Sequence, residues 1–318
     1  MNEPTGYTSH AIDDIKSIQS DISKWEPITA SELSKLVLLM RSSVKFSLPA
    51  DARLIDVCDV GRDYIDLVQL PYPVVTLEFS VAPIETSGII KQSKRIVVCW
   101  DKRASTAWKF NGETPEADSI IYCLAISFDD IQRMWIPETA VAWIDKNFEF
   151  NKSKNRLRNV NFIFPFPEWE EKARSSEHFE SDLSWAIETS VFPMISFCLA
   201  INCSNVAEES ITPSKKLNSK RVQNGKEPFD TCHVLTVGGR SVMSGTNGGT
   251  HSSPRMHLRR GHIRRLSSGK TIWVNNTIVG RSELGSVSKS YNVLCTKHGP
   301  EHIVVDRKAH DAFEGHEV

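Results

Sequence analysis

Ten residues, Met256 to Arg265, carry four arginines and two histidines; Ser267-Ser268-Gly269-Lys270 then leads into Thr271-Ile-Trp-Val-Asn275. Each of these residue types has its own chemistry. Guanidinium groups grip phosphate oxygens with paired N–H donors. An indole offers a stacking surface to an unpaired base, and an imidazole moves protons near neutral pH. Arg255, Arg259, Arg260, Arg264, Arg265 and Lys270 are therefore candidates to hold a nucleic-acid backbone, with His262, Trp273 and Asn275 beside it. A second chemistry draws on the same residues. His262 as general acid or base, flanked by Arg260 and Arg264 to stabilise a pentavalent phosphate, would make a metal-independent endoribonuclease. That reaction wants a second proton-transfer group. Only His251 and His257 are near in sequence, and on a strand His257 points away from His262. RNA binding without cleavage is the favoured expectation, and a structural or DNA-associated protein is the third reading.

The element that must position these groups is a β-hairpin, since a Ser-Gly turn is followed by a β-branched and aromatic run. A loop of two residues (Ser268-Gly269) or four (Ser267 to Lys270) gives one pairing. Leu266 then faces Thr271, Arg264 faces Trp273, His262 faces Asn275 and Arg260 faces Thr277. In that register Ile263, Ile272, Val274 and Ile278 turn to a core, and Arg260, His262, Arg264, Trp273 and Asn275 line the open face.

Charge is distributed unevenly around this hairpin. The 318-residue chain has a net charge of -1, yet residues 1–206 carry -8 and residues 207–318 carry +7. Between Pro213 and Lys297 there are 15 basic residues and three acids, Glu227, Asp230 and Glu283. Such a segment attracts phosphates. Lys215, Lys216, Lys220, Arg221 and Lys226 fall in a stretch with few large apolar residues, which reads as a basic linker or arm over 207–230. An N-terminal α+β recognition domain over 1–206 and a basic β-rich nucleic-acid-binding domain over 231–318 complete the expected α+β organisation.

Within the first domain, apolar spacing predicts helices over 9–24 and 30–43 and a long buried helix over 179–200, kinked or interrupted at Pro193. Strands are expected at 67–69, 74–79, 96–100, 120–128 and 140–144, with another running into the prolines at 161–167. Further strands are expected at 233–237 and 290–295, with a glycine-rich loop at 238–249 between the first of these and the hairpin. No P-loop, dinucleotide or nucleophile-elbow pattern is present, so no cofactor is expected. Cys295-Thr-Lys-His298 and Cys232-His233 match no common zinc spacing, so no metal is expected. The seven scattered cysteines suit buried thiols in a reducing compartment. The first 30 residues lack a signal pattern and the longest apolar run, 191–201, is too short to span a bilayer. The expectation is a cytoplasmic protein away from membranes.

Several ordered motifs carry a resemblance. Phe197-Cys-Leu-Ala-Ile-Asn202, Pro213-Ser-Lys-Lys-Leu-Asn-Ser-Lys-Arg221, Gly225-Lys-Glu-Pro-Phe229, Arg259-Arg-Gly-His262 and Trp273-Val-Asn275 resemble a group of phage and prophage proteins. The group is distantly similar to type V-A anti-CRISPR proteins that reduce production of the CRISPR nuclease. Those relatives carry His-Trp-His after the glycine, where this chain has His262-Ile263-Arg264. The resemblance implies a mobile-element protein that acts on gene expression in the host cytoplasm. The basic half would engage a message or ribosome, and the N-terminal half a host protein or nascent peptide.

Overall fold

Near-continuous apolar runs in the central strands, such as Ile96–Trp100 and Ile121–Ile126, give both faces of one sheet a core to bury. The computed structural model describes residues 6–52, 54–55, 62–81, 92–104, 120–151, 156–237, 255–259, 262–274, 277–279 and 281–286. Nine strands form the main sheet: β1 (Val44–Ser47), β2 (Val74–Ser80), β3 (Gln92–Asp101), β4 (Ile121–Asp129), β5 (Met134–Pro137), β6 (Val141–Asn151), β7 (Arg156–Ile163), β8 (Val206–Ile211) and β9 (Cys232–Val237). Their order is β7-β6-β4-β3-β2-β1-β9-β8, with β5 paired to β4. β1 runs parallel to both β2 and β9, and the other pairings are antiparallel.

Helices cover both faces. α1 (Tyr7–Ile22) and α2 (Pro27–Ser42) pack Ile12, Ile15, Leu33, Leu36 and Met40 against Ile96, Val98, Trp100, Leu124 and Ile126. The short α3 (Pro167–Arg174) joins this layer through Trp169. On the opposite face α4 (Phe179–Ile201) buries Ile187, Val191, Met194 and Leu199 over Phe46, Leu77, Val97 and Ala125. Pro193 does not end α4, because the helix runs unbroken across it. α4 is long and apolar enough to cross a membrane, yet most of its apolar side chains are buried against the sheet. The fold is α+β, as composition and periodicity predict.

Carboxylates hold the helix ends. Glu78, on the α1 side of β2, accepts the Thr8 N–H at 2.8 Å, the Thr8 hydroxyl at 2.6 Å and the Tyr7 N–H at 3.2 Å. Glu168 of α3 accepts from the Ile28 and Thr29 N–H groups at the start of α2, at 3.3 and 3.1 Å. Exposed N–H groups and the positive end of a helix favour a carboxylate there. Burial, the largest single influence, raises the Glu168 pKa, but the Thr29 hydroxyl, which also donates to it, and these N–H groups together bring it below its ordinary value.

Two sequence expectations change. Residues 67–69 form no strand, because Arg62–Leu67 is a 3-10 helix. The stretch expected as an arm contains strand β8 and a helix, α5 (Lys215–Gln223). The cysteines at 99, 123, 198, 203 and 232 are free and buried, and burial pushes Cys123 to about 12 and Cys203 to about 11. The glycine-rich loop at 238–249 and the strand expected at 290–295 lie outside the described residues.

Candidate nucleic-acid interface

The hairpin forms, with a different register. β11 (His262–Arg265) pairs antiparallel with β12 (Thr271–Val274), placing His262 across from Val274, Ile263 from Trp273, Arg264 from Ile272 and Arg265 from Thr271. The same one-residue offset continues where β10 (Arg255–Arg259) meets β13 (Thr277–Val279), with Arg259 opposite Thr277. The loop explains it. Leu266 N–H donates to Lys270 O at 2.8 Å, so three residues close the turn, and Gly269 takes φ 82°. A three-residue loop ending in a left-handed glycine is a standard hairpin closure. An odd loop length shifts every partner by one and exchanges the faces.

Trp273 is therefore not on an open face. It lies beside buried Ile263 and packs against the core under α4. Ile272 and Val274, expected inside, share the other face with exposed Arg264. Asn205, just before β8, completes the anchor: its amide nitrogen donates to Trp273 O at 2.6 Å and its oxygen accepts the Trp273 N–H at 2.7 Å. Ser204 donates its N–H and its hydroxyl to Thr271 O at 2.8 and 2.9 Å. Arg265 ion-pairs with Asp66 at 3.0 Å over the ring of Tyr64, whose hydroxyl donates to Ile263 O. Asn202 extends the same anchoring by donating to Leu67 O and Gln69 O at 2.9 and 3.0 Å.

α5 is fastened to α1 by a different device. Ser214 caps it, accepting the Leu217 N–H. Asn218 clasps Phe229 through both backbone groups at 2.8 Å. The Arg221 guanidinium lies 4.0 Å above the Phe229 ring, donates to Glu227 O at 2.6 Å and pairs with Asp13 at 3.0 Å. Phe229 also meets the His10 ring edge-on and fills the space beside Gly6, where a Cβ would sit 2.6 Å from it. Glu227 pairs with Arg41 and Lys16, and those contacts, Arg41 first, hold its carboxyl below the usual range. Arg221 is thus committed to the fold.

What remains for a ligand is a set of cations. Lys215, Lys216, Lys220 and Lys226 around α5, and Arg264 and Lys270 on the hairpin, are exposed and make no ion pair among the described residues. Arg260 and Asn275, and the side chains of Arg255, Arg259 and His262, lie outside the described residues.

One group of side chains was missed in the sequence. On the α4 face, β8 and β9 bring Glu208 to His233, with 2.6 Å between Oε1 and Nδ1. Tyr72 donates its hydroxyl to Glu208 at 3.2 Å, and Phe46 packs on the imidazole at 5.5 Å between ring centres. Burial first and Glu208 second raise the Tyr72 pKa. Nothing in the spacing of residues 72, 208 and 233 announces the group, because a parallel β1–β9 contact brings it together.

No curated protein and no solved structure matches this chain. A profile described as AcrVA2-like, the anti-CRISPR type V subtype A2 family, matches residues 51–281, which spans β2 to β13 and both basic elements. The chain belongs to the AcrVA2-like anti-CRISPR family.

Proposed function

We propose that this anti-CRISPR protein suppresses production of its target protein by binding RNA through the lysines of α5 and the cations of the hairpin. The observation that carries the reading is the set Lys215, Lys216, Lys220, Lys226, Arg264 and Lys270, exposed and without an ion pair among the described residues, on two elements that are otherwise held by polar or apolar anchors. Unpaired surface cations cost little to keep in water and release counterions when they meet phosphates. With Trp273 turned inward, the described part of the hairpin offers charge rather than a stacking platform. The bound RNA is then held mainly by its backbone, with weak preference for base identity.

The N-terminal layer supplies a second kind of surface. Trp25 is 83% exposed and Ile28 57% exposed at the corner between α1 and α2. Exposed aromatic and aliphatic neighbours of this kind suit contact with a protein segment. In this reading that corner meets a host protein or nascent peptide while the basic elements hold the message in the host cytoplasm.

The test is sequencing of RNA crosslinked to the full-length protein in its host, beside a variant with Lys215, Lys216 and Lys220 changed to alanine. Enrichment of one message with the native protein, lost in the variant, is expected. Native protein that crosslinks no RNA would remove the reading and favour a structural or DNA-associated role.

A further inference from the structure

The His233–Glu208–Tyr72 group is placed and built for more than packing. His233 Nδ1 lies 2.6 Å from Glu208 Oε1, which brings the carboxylate against that edge of the ring. This is the arrangement by which a carboxylate fixes the tautomer and ring orientation of a histidine base. Tyr72 fixes the carboxylate in turn, its hydroxyl lying within hydrogen-bond reach of both oxygens. The side chain of His233 is 22% exposed and that of Glu208 27% exposed, so solvent and a ligand can reach them.

Its position matters as much. The group faces the same side of the sheet as Trp273 and Ile263, and it shares their core through Phe46 and Leu235. Along β8 it sits between the hairpin, anchored at Ser204 and Asn205, and α5, which begins at Lys215. Six strand residues cover about 20 Å, a few nucleotides of extended backbone.

We infer that His233 is a general base acting on RNA held by these cations, with Glu208 and Tyr72 as its positioning residues. The inference rests on the RNA-binding reading above. In the step, Nε2 takes the proton of a ribose 2′-hydroxyl. The 2′-oxygen forms a bond to the adjacent phosphorus and the P–O5′ bond breaks. The departing 5′-oxygen takes its proton from water, which stands in for the second proton-transfer group such a reaction wants, and the imidazolium returns its proton to solvent. The products are a 2′,3′-cyclic phosphate and a 5′-hydroxyl end, and nothing is oxidised or reduced.

The full-length protein is incubated with an end-labelled single-stranded RNA oligonucleotide and with its all-deoxy counterpart, following anisotropy for binding and gel mobility for cleavage. Both should bind, and only the RNA should be cut, to cyclic-phosphate ends. His233→Ala should lower cleavage roughly 100-fold or more, with affinity within about threefold, because a general base acts in the transition state. Added imidazole should restore part of the rate. Glu208→Gln should lower kcat with KM unchanged, and Glu208→Asp should recover part of the loss, which a purely structural role would not show. RNA bound but left intact would overturn the inference and leave the binding reading standing. Failure to bind RNA at all would end both. Cleavage undiminished in a folded His233→Ala protein would remove His233 from the chemistry.

Discussion

The hairpin and α5 look alike in sequence, both short and rich in arginine and lysine, yet they are attached in opposite ways. The hairpin is fixed through an apolar face, Ile263 and Trp273, and through the amide of Asn205 pairing with backbone. α5 buries no residue and is held by polar clamps, Asn218 and Arg221 around Phe229. Local charge density does not distinguish a cation that anchors from one that is free. Arg221 and Arg265 have carboxylate partners and aromatic rings beneath them, whereas Lys216, Lys220, Arg264 and Lys270 have neither among the described residues. The difference lies in what the fold brings near each one.

Changes to the anchors should break this contrast most strongly. Trp273→Ala removes the side chain that ties the hairpin to the core. It should cost about 3 kcal/mol, the lower end for aromatic truncation because Trp273 is half-buried. Denaturant unfolding of the full chain would show it as a lowered midpoint. Asn205→Ala leaves the Trp273 N–H and C=O without their partners. A loss of about 1–3 kcal/mol is expected, with hydrogen exchange at Trp273 accelerated. Unchanged exchange would mean that the hairpin is held by packing alone.

The α5 clamp should respond to backbone and to pH. Gly6 has φ 62°, and any Cβ there meets the Phe229 ring. Gly6→Ala should destabilise by about 1–2 kcal/mol from the left-handed conformation alone, and further from the contact. Acid tests the same clamp more gently. The Glu227 carboxyl is held below its ordinary value by Arg41 and Lys16. Its contribution is therefore complete above the unfolded carboxylate pKa of about 4.3 and fades as pH falls through the lower folded value. Exchange protection in α5 should drop in that window before the central strands lose theirs. Simultaneous loss would show that α5 and the sheet open together.

Much of the fold was legible. The first two helices, the buried α4 and strands β2, β3 and β4 follow from apolar spacing, because each buries a continuous stripe or face. β8 and α5 were not, since Val206–Ile211 exposes Ala207, Glu208, Glu209 and Ser210, and α5 has no buried residue to mark a period. The hairpin's existence was legible and its register was not. A two- or four-residue loop and the observed three-residue loop use the same Ser-Ser-Gly-Lys letters, and only the left-handed Gly269 separates them. That single residue turned Trp273 from an expected ligand platform into a core anchor. The His233–Glu208–Tyr72 group depends on strand order, which local sequence does not encode.

The central claim is that the unpaired lysines meet phosphate while the paired arginines hold the fold. It is tested most directly by the salt dependence of RNA affinity for the native chain and for the Lys215→Ala, Lys216→Ala, Lys220→Ala triple variant. Single-strand binding loses about 0.7 in the slope of log affinity against log salt for each phosphate contact removed. The variant should keep native stability within about 0.5 kcal/mol, as surface changes do, while its slope falls by about 2. An unchanged slope in a folded variant would contradict the claim.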